Sequence, residues 1–244
     1  MFLKFHIHYR KNIIKTKENL SWQIRMQTKT SVTVMGKVES DFEFSHKSGN
    51  KSFYMTKIAV KRLSDVEDHI QLIVPETLID MAGDYVGKCV RVRGNYRSYN
   101  NRGERKNRVL LAVFAKEITF VDEEPDAKKS NRVHLDGYVC KKPVYRKTPK
   151  GREITDLFIA VNRPFRHSDY IPCICWGNNA VIASEYKVGD RVNILGRIQS
   201  REYTKRISET ESEKRVAYEV SINSMRKEEV EQPEEGEKAE ETAE

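Results

Sequence analysis

Shifted by 101 residues, the segment Val32 to Tyr85 overlays Val133 to Tyr186 without a gap, and this repetition sets the terms for the fold. Twelve pairs are identical: Val32/Val133, Gly36/Gly137, Val38/Val139, Ile58/Ile159, Ala59/Ala160, Val60/Val161, Arg62/Arg163, Asp68/Asp169, Ile70/Ile171, Ile73/Ile174, Ala82/Ala183 and Tyr85/Tyr186. Ordinary residue usage would give about three by chance. After a one-residue insertion the register resumes with Val86/Val188, Gly87/Gly189, Val90/Val192, Gly94/Gly196 and Ser98/Ser200. A period near 100 residues is too long for a solenoid unit and suits duplicated globular domains, each with its own core.

The expected organisation is a basic N-terminal arm over 1–30, a first domain over 31–121, a linker over 122–130, a second domain over 131–227 and an acidic tail over 228–244. Residues 1–25 read as a flexible arm or as the product of an upstream start codon, with Met26 as an alternative start. His6 and His8 share one strand face, but two histidines make at most half a metal site. No stretch approaches the ~20 apolar residues that span a bilayer. The first ten residues alternate Phe and Ile with Lys4, His6, His8 and Arg10, unlike a secretory signal. A cytoplasmic protein with no membrane contact is the expectation.

Cys89, Cys140, Cys173 and Cys175 fall inside strand-like runs rather than at disulfide or zinc-ligand spacing. They read as small buried thiols, with no metal and no cofactor. The net charge is +8, yet Glu228 to Glu244 holds nine Glu and one Lys, a net of −8, so residues 1–227 carry 8 + 8 = +16. A body of that charge attracts polyanions. The tail has no aromatic residue and cannot bury enough apolar surface to fold.

Alternating apolar and polar residues predict five strands per copy. In the first these are Ser31–Ser40, Ser52–Arg62, His69–Val74, Cys89–Ser98 and Arg108–Val121, with a helix over Glu76–Tyr85. In the second they are Arg132–Lys141, Glu153–Arg163, Tyr170–Trp176, Arg191–Ser200 and Val216–Met225, with a helix over Asn178–Tyr186. Five strands with one helix between the third and fourth predict an all-β chain of two tandem OB-folds, small Greek-key barrels that bind oligonucleotides on strands two and three and in the adjoining loops. Gly36, Gly137, Gly94 and Gly196 read as bulges or barrel corners. Pro172 lacks a ladder donor inside a strand, and the sequence offers no reason for it.

The second copy carries a resemblance. Phe158-Ile159-Ala160-Val161-Asn162-Arg163, then Tyr170-Ile171-Pro172-Cys173-Ile174-Cys175-Trp176-Gly177, then the run Gly189 to Tyr203 together resemble bacterial single-stranded DNA-binding proteins, with primosomal replication protein as a related family. The resemblance implies sequence-independent binding of single-stranded DNA in replication, recombination and repair, often by four OB-folds together. Two barrels per chain then make a homodimer the simplest route to four. The family often ends in an acidic tip with an aromatic residue that docks genome-maintenance proteins. This chain closes on Glu240-Glu241-Thr242-Ala243-Glu244, which leaves such docking in doubt.

The residues support the same chemistry. On the third strand of the second copy, Tyr170, Ile174 and Trp176 share one face, while Ile171, Cys173 and Cys175 share the other. A small barrel has room for the compact set, so the rings should face outward and offer stacking surfaces to bases. The resemblance places stacking aromatics at Trp176, Tyr170 and Tyr203. The competing reading packs Trp176 against the helix and Tyr203 over a sheet edge. Phe158 alternates outward, toward DNA or a partner subunit. Tyr145, Arg146, Lys147 and Arg152 in the first loop, Arg163, Phe165 and Arg166 after the second strand, and Arg201 after the fourth interleave aromatic and cationic groups suited to phosphates.

In the first copy His69 stands for Tyr170 and Pro75 for Trp176, although Tyr99, Arg102 and Arg105 keep a basic loop. Weaker or differently routed binding, or a role in assembly, is expected there. No phosphate-cradling Gly loop, paired metal-binding His motif or Gly-x-Ser-x-Gly elbow is present, so the chain does not read as an enzyme. The alternative is an OB-fold adaptor that binds RNA or proteins of the replication and primosome machinery.

Overall fold

The computed structural model describes residues 29–64, 66–101, 108–208 and 211–228. Residues 1–28 of the expected N-terminal arm, all but the first residue of the tail, and the candidate residues Arg102 and Arg105 lie outside the described residues; Thr30, the last residue assigned to the arm, opens β1. The strands are β1 (Thr30–Val38), β2 (Glu43–Ser48), β3 (Lys51–Lys61), β4 (Glu67–Pro75), β5 (Cys89–Asn101), β6 (Arg108–Val121), β7 (Asn131–Val139), β8 (Val144–Lys147), β9 (Glu153–Arg163), β10 (His167–Trp176), β11 (Arg191–Arg206) and β12 (Ser212–Lys227), with one helix, α1 (Asn178–Ser184), among the described residues. None of these elements is a helix long and apolar enough to cross a membrane.

Strands β1, β3, β4, β6 and β5 close a barrel, because β1 pairs with β5 along its first part and with β3 at its end. Strands β7, β9, β10, β12 and β11 repeat that order, and in each barrel the third and fifth strands pair in parallel. Both barrels are OB-folds. Their interiors take the small alternating set read from the sequence, such as Val34, Ile58, Ile70 and Val92 in one and Leu135, Ile159, Ile171 and Ile194 in the other.

The paired glycines sit where strands must change neighbours. An added Cβ on Gly36 would stand 2.2 Å from the Ala59 carbonyl oxygen, and one on Gly94 only 2.1 Å from that of Phe114. The ladder also shifts register at Arg93/Gly94 and at Leu195/Gly196. These contacts are backbone against side chain, so no rotamer change relieves them. Gly94→Ala is expected to destabilise the chain by about 1–3 kcal/mol through overpacking, measured as a lowered denaturation midpoint. An unchanged midpoint would refute the corner reading.

The two copies differ at the expected helix. In the second, Gly177 takes φ +56° and turns the chain into α1, whose Ala180 and Ala183 are buried, and Thr155 Oγ1 donates to the Ala180 carbonyl at 2.6 Å. In the first, only a single 3₁₀ turn forms over Glu76–Leu78. Gly83 interrupts the run there, with its N–H bonded to the Asp80 carbonyl at 3.0 Å, and Leu78, Ile79 and Tyr85 cap the barrel instead. The helix read over Glu76–Tyr85 is therefore corrected to that turn, because a mid-segment Gly weakens helix formation. Two short strands, β2 and β8, were not expected from the sequence.

Pro172 also finds its reason. It opposes Phe158, whose carbonyl accepts from Cys140 N–H on the side away from β10. Pro172 and Phe158 thus form a non-hydrogen-bonded pair, and the missing donor points toward β12, whose pairing begins only at Cys173.

The barrels join through a near-symmetric seam. β1 and β7 run antiparallel, with Val32 opposite Val133, its own counterpart in the repeat. The outer ends of β5 and β11 then reach across to the other barrel. Asp68 Oδ1 accepts from Ser200 N–H at 2.7 Å, while Ser200 Oγ accepts from His69 N–H at 2.9 Å. In mirror fashion Asp169 Oδ1 accepts from Ser98 N–H at 2.8 Å and Ser98 Oγ accepts from Tyr170 N–H at 3.0 Å. Arg62 holds Asp68 through two nitrogens, and Arg163 Nε lies 3.1 Å from Asp169. Within each barrel, beside this seam, Asn131 bonds both backbone groups of Ile198, as Thr30 does those of Tyr96. In the connecting segment Glu124 accepts from Lys37 and Lys61, and those hydrogen bonds hold its carboxyl down to about 2.

Candidate functional site

Directly opposed residues in a ladder point to one side of the sheet, so strand register assigns the outer surface of the second barrel. Trp176 opposes Ile154, Pro172 opposes Phe158 and Tyr170 opposes Ala160. Arg146 also opposes Ile154, and Ile174 lies beside Ser221 of β12. Further along, Arg201 opposes Ala217 and Tyr203 opposes Arg215. Trp176, Tyr170, Phe158, Tyr203, Arg146 and Arg201 therefore occupy one face, drawn from β9, β10, β11 and the short strand β8. Cys173, Cys175 and Ile171 line the interior of the same barrel. Burial pushes the Cys175 thiol up to about 12 and that of Cys173 well up, which keeps both protonated.

The rings are accessible. Tyr170 is 48% exposed, Trp176 38% and Tyr203 37%. Phe158 is half-buried, with the Lys141 ammonium 4.5 Å from its ring centroid. Phe165 is 92% exposed at the β9–β10 turn, where it and Arg166 take φ +62° and +59°. Left-handed backbone at two consecutive non-glycine residues is uncommon and costs free energy.

Other candidates are placed differently. Tyr145 and Lys147 oppose Thr155 and Glu153, so they lie on the far side of the hairpin from Trp176. The Tyr145 hydroxyl donates to Glu153 at 2.8 Å, a bond that raises its pKa. Arg146 meets Asp156 through two nitrogens at 2.9 and 3.2 Å, in an exposed ion pair. Arg152 is exposed beyond the β8–β9 turn. Arg163 is not a free phosphate contact. It is spent on the buried carboxylate of Asp169 in the interbarrel seam, because that carboxylate has no water to solvate it.

Two acidic residues in the middle of the outer face were not foreseen. Asp156 lies opposite Ile174, and Glu219 opposes Gln199; burial raises the Glu219 carboxyl above its usual range. Their charges would have been read from sequence only by counting strand parity across all five strands. Together they make the centre of the face unfavourable for phosphate and leave the exposed cations at its edges.

The first barrel presents an outer face of another composition. Phe53 opposes Pro75, at the ladder position where the second barrel pairs Ile154 with Trp176. Tyr99, half-buried, meets Phe114 edge to face at 5.8 Å. Sequence comparison of β4 with β10 alone missed this, because the ring had moved to the neighbouring strand.

Comparison with known proteins agrees with this geometry. The single-stranded DNA-binding protein of Halalkalibacterium halodurans is 39% identical over 80 residues, covering 30% of this chain and 48% of its own length. Single-stranded DNA-binding protein A of Bacillus subtilis is 38% identical over 80 residues, covering 30% and 46%. The chain thus spans about half the length of the curated relatives it matches. The wild-type single-stranded DNA binding protein from Thermus aquaticus superposes with a TM-score of 0.65 over 85% of this chain and 96% of its own, at 20% identity, which is a likeness of fold. Residues 130–227, the second barrel with its aromatic face, match the Single-strand binding protein family.

Proposed function

We propose that this chain binds single-stranded DNA without regard to sequence, in replication, recombination and repair. The observation that carries the reading is the gathering of Trp176, Tyr170, Phe158 and Tyr203 on one accessible barrel face. Every base has a π-face, so stacking is tolerant of sequence and worth roughly 1–3 kcal/mol per base. Asp156 and Glu219 repel phosphates from the middle of the face. A strand laid there keeps its bases over the rings and its backbone near Lys141, Arg166 and Arg201. Binding without catalysis is the natural activity of such a surface.

Titration with oligo(dT) should quench Trp176 fluorescence, and the apparent affinity should fall steeply as salt rises, because phosphate contacts release counterions. Trp22 lies outside the described residues, so the titration is run on Trp22→Phe chain to isolate Trp176. No quenching, with retained binding of structured RNA or a protein, would favour an adaptor and end this reading.

A further inference from the structure

The first barrel has exchanged the aromatic residue of its third strand for one on its second. In the second barrel the ladder pair is Ile154 with Trp176; in the first it is Phe53 with Pro75. The ring has crossed to the opposed residue on the same outer face, so the surface keeps an aromatic group at almost the same place. Phe53 does not stand alone. The His46 ring of β2, its cross-strand neighbour, stacks on it with centroids 4.9 Å apart and planes 5° from parallel. Across the face, Tyr99 meets Phe114, and the Arg97 guanidinium lies 5.3 Å from the centroid of that ring.

Arg97 differs from the many paired cations of this chain. Among the described residues it makes no ion pair, whereas Arg197 lies 3.7 Å from Asp68, and its Nε, like that of Arg163, is buried without a hydrogen-bond partner. Burial, then the nearby Arg163 cation, pulls its pKa below the usual range, with only partial relief from Asp169. A cation so placed gains from an added anion. Flat rings with a half-exposed stack, and an under-compensated arginine beside Phe114 on the same outer face, form a receptor for a base and its phosphate together.

We infer that the first barrel is a second binding surface for unpaired nucleotides, with Phe53 and His46 as its stacking pair and Arg97 as its phosphate contact. This rests on the reading that the chain binds single-stranded DNA, and it assigns the first copy a direct part in that binding.

The test uses a full chain whose second surface is disabled by Trp176→Ala and Tyr170→Ala, titrated with fluorescein-labelled oligo(dT) and read by anisotropy. Residual binding is expected in that chain, and adding Phe53→Leu should weaken it by about 5- to 150-fold, the equivalent of one lost stack. Leucine keeps an apolar group at a half-buried position, so the fold is retained. Ultraviolet cross-linking of oligo(dT) to the unmodified chain should also label a peptide containing His46, Phe53 or Tyr99. Absence of residual binding, an affinity unmoved by Phe53→Leu, or cross-links confined to the second barrel would overturn the inference. Failure of the unmodified chain to bind oligo(dT) at all would instead overturn the function on which it rests.

Discussion

Asp68→Ala is expected to lower the stability of the chain by about 3–5 kcal/mol, since removing one partner of a buried ion pair strands the other. Asp68 is 1% exposed, and its carboxylate takes two nitrogens of Arg62 and the N–H of Ser200, with Arg197 Nη1 at 3.7 Å. Alanine would leave those arginines facing a low-dielectric seam and the Ser200 N–H without its acceptor. The loss acts between the barrels as well as within the first, because Ser200 and Arg197 belong to the second, so urea denaturation should show the two barrels separating into distinct transitions. Asp169→Ala should act in the same direction through Ser98 and Arg163. A midpoint within experimental error of the unmodified chain would show that the seam is held by the β1–β7 ladder alone.

The second large effect concerns DNA. Trp176→Ala should weaken oligo(dT) binding by about 1–3 kcal/mol, and Trp176→Phe by less, because a smaller ring still offers a π-face. Adding Tyr170→Ala should weaken it further, since the two rings share one outer face. Both residues are well exposed, so stability should barely change. Filter binding across a salt series would separate the contributions. The stacking mutants should lower affinity while leaving the salt slope unaltered, whereas Arg201→Ala should flatten the slope by about one phosphate contact. If Trp176→Ala bound as well as the unmodified chain, the outer face would not be the binding surface.

Much of the architecture was legible in the residues. Strict alternation in Phe158-Ile159-Ala160-Val161 and Tyr170-Ile171-Pro172-Cys173 identifies half-buried strands, because a period of two puts every second side chain in the core. The duplicated glycines marked the barrel corners, where backbone passes too close for a Cβ. The same parity sent Trp176 and Tyr170 outward. What escaped was short or polar: Glu43–Ser48 and Val144–Lys147 carry no apolar face, and their strand character comes from pairing with β3 and β9.

Arg163 shows where local reading fails. Beside Phe165 and Arg166 in sequence it looks like one more cation on a binding loop, and the repeat offers Arg62 as its twin. Only assembly of the barrels shows why both copies carry Arg, Asp and, thirty residues on, Ser: each copy's aspartate closes on the other copy's serine. In the same way, Phe53 gains its meaning from Pro75 across the ladder and from His46 stacked upon it. Chain order determined the strands, their faces and the duplication, because those depend on neighbours a few residues apart. The seam and the first barrel's aromatic face were decided by tertiary structure, because they depend on groups that meet only when distant strands are brought side by side.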